Sequence, residues 1–177
     1  MESRRASVGH PTKTCLGAIG LSVLIAGAAF PEGQATAQTA KDVVGTWTWV
    51  SNTIDQGGKK VEPFGPDGKG ILMFGSDGRY ALINLRSGLP KFASGNRTTG
   101  TPDENKAVVE GSIAHYGTYT VDEAGKTLVL RIEASTFPNW DGVEQKRPFT
   151  VAGDELRYTV PTASVGGSAQ VVWKRVK

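Results

Sequence analysis

At 177 residues, with 23 glycines, 9 prolines and a formal net charge of +3, the chain has the size of one domain and the composition of a loop-rich one. Its 20 basic and 17 acidic residues are interspersed along the sequence. That distribution excludes the clustered basic surface expected of a nucleic-acid binder.

The N-terminal stretch MESRRASVGHPTKTC places Arg4, Arg5 and Lys13 ahead of an apolar run at residues 16–30, and Ala35-Thr36-Ala37 follows. Basic, apolar, then small-x-small is the layout of a secretory signal. The apolar run falls short of the ~20 residues that cross a bilayer, which disfavours a retained anchor. Residues 1–37 are therefore expected to be a cleaved signal and residues 38–177 the working domain, exported to the periplasm or beyond the cell. Ser3-Arg4-Arg5 raises the twin-arginine route, although Ser7 and Val8 stand where an apolar pair is usual, so the general route stays open. Neither route leaves a membrane insertion once the signal is gone. Cys15 opens the apolar run and is a poor lipid anchor.

Removal of the signal takes Cys15 and His10 with it, leaving no cysteine and His115 as the single histidine. No disulfide, cysteine nucleophile or thiolate metal site is then available. A lone histidine also argues against zinc and against most hydrolytic triads. No metal and no cofactor is expected.

Eight short alternating runs follow, near residues 43–51, 69–75, 78–85, 115–122, 126–134, 145–151, 154–160 and 169–176. Turn sequences such as GSDG at 75–78 and DEAG at 122–125 separate them, since Gly supplies positive φ and Asp bonds its own backbone. Tight links make antiparallel neighbours. Eight strands in up-and-down order suit a closed barrel, which has no exposed edges. The fold class expected is thus all-β, an eight-stranded antiparallel up-and-down barrel with one short helix between strands three and four. That helix begins in TPDENKAVVEGS, where Thr101 caps, Pro102 takes the first position and Glu104 completes a capping box. The preceding RSGLPKFASGNRTTG lacks periodicity and is expected to be a mobile loop. Residues 52–68, polar and Gly/Pro-rich, are expected at a barrel mouth.

Alternation assigns faces. Val43, Gly45, Trp47, Trp49 and Ser51 share one face of the first strand, and two tryptophans there mark it as interior. Val171, Trp173 and Arg175 share a face of the last strand. Pairing of the first and last strands would lay Arg175 across the Trp47 ring, a cation–π contact worth roughly 0.5–2 kcal/mol.

Gly45-Thr46-Trp47 on the first strand, with a basic residue near the end of the last, resembles the lipocalin signature. More closely, the chain resembles the bacterial and fungal lipocalin-like domain family. The segments that carry this are VVGTWTWVS (43–51), GPDGKGILMFGSDGRYA (65–81), HYGTYTVD (115–122), STFPNWDGVEQKRPFTVAGDELRYTV (135–160) and SVGGSAQVVWKRV (164–176). The resemblance spans nearly all of residues 42–177 and implies the barrel, with Trp47 sealing one end and Arg175 packed across it. Two departures stand out: no C-terminal helix follows the last run, and the cysteines of the usual lipocalin disulfide are missing. The family has no single agreed activity, and fold alone does not settle function.

Gly45, Trp47 and Arg175 are accordingly read as barrel closure. Trp49, Tyr119, Arg147, Tyr158 and Trp140 are the ligand-contact candidates. Trp49 either lines the cavity or packs in a filled core. Inward Tyr119 and Tyr158 offer a ring and a hydroxyl that wants a partner, or else bond to backbone. Arg147, if inward, needs an acidic partner such as Glu133 or Glu144, or a ligand carboxylate. Trp140, in STFPNWDG, is placed to cover a mouth, with Asn139 and Asp141 as turn formers. His115 is read as a strand-boundary residue with a backbone partner before it is read as an acid or base.

The leading expectation is a non-enzymatic exported barrel holding a small apolar or amphipathic molecule. One alternative is an isomerase or cyclase acting by confinement, with Tyr119 and Arg147 polarising a substrate carbonyl. Another is a ligand-free interaction module at the envelope, marked by a solid interior and an exposed apolar patch. Neither the ligand nor the oligomeric state is legible at this level.

Overall fold

The computed structural model describes residues 38–177. The expected signal at 1–37 lies outside them, as do Cys15 and His10. One helical turn, α1 (Ala40–Val43), leads into β1 (Gly45–Gln56), which turns at Gly57-Gly58 into a three-residue strand, β2 (Lys59–Val61). β3 (Lys69–Phe74) and β4 (Arg79–Leu85) follow, then a loop and α2 (Pro102–Glu110). β5 (Ser112–Asp122) and β6 (Thr127–Ser135) precede a 3₁₀ turn at Pro138–Trp140, and β7 (Glu144–Ala152), β8 (Glu155–Val160) and β9 (Ser168–Arg175) complete the chain.

Every neighbouring pair is antiparallel, and β1 pairs both β3 and β9. Eight strands therefore close on themselves into the expected up-and-down barrel. β2 is an addition, a flap paired only with the end of β1 through Ile54–Val61 and its two neighbours. With β2 counted, the helix falls between the fourth and fifth strands rather than the third and fourth. The capping chemistry read at its start is present: Thr101 Oγ1 accepts from Glu104 N at 3.2 Å, and Glu104 accepts from Thr101 N at 2.8 Å. Glu104 also accepts from Ala93 N at 2.8 Å. That bond ties the loop expected to be mobile to the helix that follows it.

Two bulges correct the simple alternation. Between Trp49 and Ser51 the β1–β9 register shifts, so Val50 is the extra residue. Up to Trp49 the odd positions face inward; beyond it the even ones do, which puts Asn52 and Ile54 inside and Ser51 outside. A one-residue bulge swaps the faces of everything after it. In β6 the extra residue is Glu133, opposite Tyr116-Gly117. A Cβ on Gly117 would stand 1.9 Å from Arg131 O, so this position has room for glycine alone. Glu133 lies on the outer face, opposite in parity to the buried Leu130 and Ile132, and forms a paired contact with Arg79 at 2.7 and 2.9 Å.

One end of the barrel is solid. Trp47 and Trp173 are fully buried among Val43, Leu72, Leu128 and Leu156, and Phe74 packs on Tyr119 with ring centroids 4.7 Å apart. Trp47 pairs directly with Arg175, whose guanidinium lies 4.0 Å from its ring centroid. The same guanidinium donates to Val44 O at 2.7 Å and Asp42 O at 2.5 Å, while Trp47 Nε1 donates to Val43 O at 2.8 Å. Gly45, at φ +131°, leaves the space: a Cβ there would come within 2.9 Å of the guanidinium.

Arg175→Met keeps the stem over Trp47 and removes both charged hydrogen bonds, leaving two carbonyls short of a donor. We expect a loss of about 2–4 kcal/mol in urea unfolding. Arg157→Met, at an exposed surface pair, is expected to change stability by less than about 0.5 kcal/mol in the same measurement.

Candidate functional site

The other end is not solid. A cavity of about 90 Å³ opens there, walled by strand residues and roofed by three connections. Pro63 and Phe64 come from the β2–β3 loop, Val109 and Glu110 from the end of α2, and Ala163, Ser164 and Val165 from the β8–β9 loop. The Arg86 guanidinium donates to Pro63 O at 2.9 and 3.3 Å, so the chain leaving β4 is bonded to the β2–β3 loop. The apolar wall includes Ile54, Leu82, Val160 and Val171.

Four polar side chains are buried in this wall: Asn52 (9% exposed), Asn84 (4%), His115 (4%) and Arg147 (2%). Arg147 projects inward from β7, as its parity with Phe149 predicts. Gln145 Oε1 accepts from its Nε at 3.2 Å and its Nη2 at 2.6 Å, and the guanidinium stands 5.1 Å from the Tyr158 ring centroid. Neither acidic partner considered for it is there. Glu133 faces outward onto Arg79, Glu144 is exposed, and none of the ion pairs among the described residues includes Arg147. A buried charge without a counter-charge carries a desolvation cost of several kcal/mol.

His115 is not a strand-boundary residue, because β5 begins three positions earlier at Ser112. Its partner is a side chain: Nδ1 lies 2.9 Å from the Tyr80 hydroxyl. Burial, and then the Arg147 charge, push its pKa down to about 3, so the ring is neutral at pH 7. The Tyr80 hydroxyl has no other acceptor among the described residues; donating to Nδ1, it leaves the ring proton on Nε2, where the imidazole is a donor. Burial also holds the hydroxyls of Tyr80 and Tyr158 in the protonated form, against the opposing pull of Arg147. Asn52 and Asn84 make no side-chain hydrogen bond to any described residue, and the Oδ1 of each is buried without a donor. Gly70 makes the space for Asn84, since a Cβ there would meet Asn84 Oδ1 at 2.6 Å.

Of the candidates read from the sequence, Arg147, Tyr158 and Trp140 line this one cavity. Trp140 stands edge-on to His115 and Phe137, at 5.7 and 5.6 Å between centroids. Trp49 and Tyr119 lie off the cavity wall. Trp49 packs edge-on between Phe64 and Trp173, at 5.6 and 5.9 Å, and against Gly68. Tyr119 is at the solid end, its hydroxyl donated to Gly75 O at 2.8 Å. The pairing of Tyr119 with Arg147 on one substrate, which the cyclase alternative needed, is therefore not assembled. Asn84 and Asn52 were not among the candidates. Asn84 was legible as an inward polar residue in register with Tyr80 and Leu82, whereas Asn52 was hidden by the bulge at Val50.

No group of three or more metal-ligating side chains occurs among the described residues. No helix among them is long and apolar enough to cross a membrane. On the outer face, Ile71, Met73, Ile83 and Tyr116 are exposed on adjoining strands.

A family model described as a lipocalin-like domain matches residues 44–176. The 4'-hydroxy-3'-methoxypropiophenone carrier protein ppsC of Aspergillus oryzae (strain ATCC 42149 / RIB 40) is similar to the chain. It is 26% identical over 102 residues, covering 52% of this chain and 92% of that protein.

The depressed His115 pKa has a consequence for stability. An unfolded histidine takes up a proton near pH 6.5, whereas the folded one resists until about pH 3. Its contribution is thus fully present above about pH 6.5 and is lost as pH falls toward 3. Between pH 7 and 4.5, unfolding free energy from urea titrations is expected to drop by about 2–3 kcal/mol more in the wild type than in His115→Gln. Equal drops would show that the ring protonates freely in the fold.

Proposed function

The chain belongs to the lipocalin-like domain family, and from that premise we propose that it is an exported binding protein holding a small amphipathic molecule at the open end of its barrel. The observation that carries this reading is the composition of the cavity. An apolar wall surrounds buried polar groups that the protein itself leaves without partners. Ligand sites combine a desolvating surface with a few orienting polar groups in this way.

Size bounds the ligand. The cavity of about 90 Å³ is smaller than the ~150 Å³ that accepts benzene in an engineered core. It takes a polar head or part of a small ring, and the remainder passes the mouth between the Phe64 and Val165 loops. Each 100 Å² of ligand apolar surface buried there contributes on the order of 2–3 kcal/mol, before the cost of association is subtracted. The Aspergillus relative is named for carrying an oxygenated aromatic ketone, which supports a small oxygenated aromatic as the class to try first.

Calorimetric titration with 4'-hydroxy-3'-methoxypropiophenone and with smaller aryl ketones and acids tests this. We expect saturable one-to-one binding, weakened about ten-fold or more by Ala163→Trp at the rim, where an indole blocks the mouth. Folded protein that shows no saturable binding to any of them overturns the reading.

Export rests on the order of charges, apolar residues and small residues in 1–37. After expression of the full chain in a bacterial host, mass spectrometry of the periplasmic fraction is expected to give an N-terminus at Gln38. An intact form confined to the cytoplasm would overturn export without touching the binding reading.

A further inference from the structure

The cation in the cavity wall has no anion. Arg147 is 2% exposed, and Gln145 occupies two of its five N–H donors through a neutral amide oxygen. The Tyr158 ring lies against the guanidinium. These two contacts fix its position without neutralising its charge. Glu110 also borders the cavity, at the solvent-exposed rim, and is paired with Lys106. The second basic group of the wall, His115, is uncharged at neutral pH. The cavity thus presents a single positive charge, held in place and desolvated, beside Asn52 and Asn84, whose amides have no partner among the described residues.

We propose that the bound molecule is a small organic monoanion, a carboxylic acid with a hydroxyl beside its carboxylate, whose carboxylate docks on Arg147 while its hydroxyl meets Asn84 or Asn52. This rests on the binding reading above and names its ligand class. A planar guanidinium matches a carboxylate in shape and charge. A polyanion such as a phosphate ester would bring more charge than one cation offsets in so small a space. A neutral ligand would leave the buried cation uncompensated. The Asn oxygens call for a donor, which a hydroxyl supplies and an aliphatic chain does not. His115, with its proton on Nε2, adds a neutral donor that does not need to titrate for the anion to enter.

The test is calorimetric, at pH 7, with phenylacetate and mandelate, whose rings can pass the mouth, each measured against its methyl ester. The wild type is expected to bind each acid about ten-fold or more tightly than its ester, and mandelate about three-fold or more tightly than phenylacetate. Arg147→Met is expected to abolish the acid preference while keeping the ester within about three-fold of its wild-type affinity. Should Arg147→Met not fold, the wild-type comparison stands alone, and Arg147→Lys is expected to keep part of the preference. Esters that bind the wild type as tightly as the acids overturn the anion assignment and leave a neutral-ligand site. Absence of binding by all four probes and by the ketones, in protein with a cooperative thermal transition, overturns the binding reading and this assignment with it.

Discussion

Closure of the barrel at one end depends on the contact between Trp47 and Arg175. The residues lie opposite each other on β1 and β9, the first and last strands of the cylinder, and the cation rests on the indole face. Because the guanidinium also holds the carbonyls of Asp42 and Val44, it fastens three pieces of chain: α1, the start of β1 and the end of β9. Sheet pairing alone would leave this seam with one face of Trp47 open to solvent. With the arginine and Val43 in place, the indole is fully buried and the end is plugged without a disulfide among the described residues. All remaining freedom is thereby transferred to the opposite end, where the walls are strands but the roof is loop.

The bulge in β1 then helps to decide what that opposite end contains. An unbroken alternation along β1 would bring Ser51 and Thr53 inward and carry Asn52 and Ile54 out. The extra residue at Val50 reverses this, adding an apolar wall residue and a buried amide to the cavity. In β6 the inward positions before the bulge are Leu128, Leu130 and Ile132, so Glu133 lies on the outer face, paired with Arg79 on the surface. With apolar residues at all three of those inward positions, that strand offers Arg147 no counter-ion.

Most of the architecture was legible because it follows from period-two patterning and turn chemistry. Trp47, Trp49, Leu156, Tyr158, Phe149 and Arg147 announce their faces by alternation, and the helix start at Thr101 announces itself through its cap. The misreadings share a physical cause, in that each depends on long-range register. The bulge at Val50 shows no local signal, since valine is at home in any strand, so Ser51 was read as inward and Asn52 was left in the loop beyond the strand. The flap at Lys59–Val61 is too short and too polar to carry a pattern. Trp49 and Tyr119 face inward as their parity requires, but parity is silent on height along the barrel axis. One packs under the β2–β3 loop and the other lies at the plugged end. His115 gave away its inward face but not its partner, because Tyr80 lies on a neighbouring strand 35 residues away in sequence.

The cavity's charge state follows from the asymmetry between its two basic groups. Histidine has an accessible neutral form and retreats to it when buried near a cation, whereas arginine has none in the physiological range. Placing them together therefore yields one fixed charge and one fixed dipole, with Tyr80 orienting the ring. Both are set before anything enters, so no reorganisation is required of them on binding. The cost is carried by the empty protein as desolvation of Arg147 and as unpartnered amides at Asn52 and Asn84. The packed end, with its fully buried tryptophans and leucines, is what lets the fold tolerate that cost. A barrel that packs apolar side chains at one end and leaves buried polar groups facing a cavity at the other is built to gain free energy when a molecule of complementary polarity fills the second end.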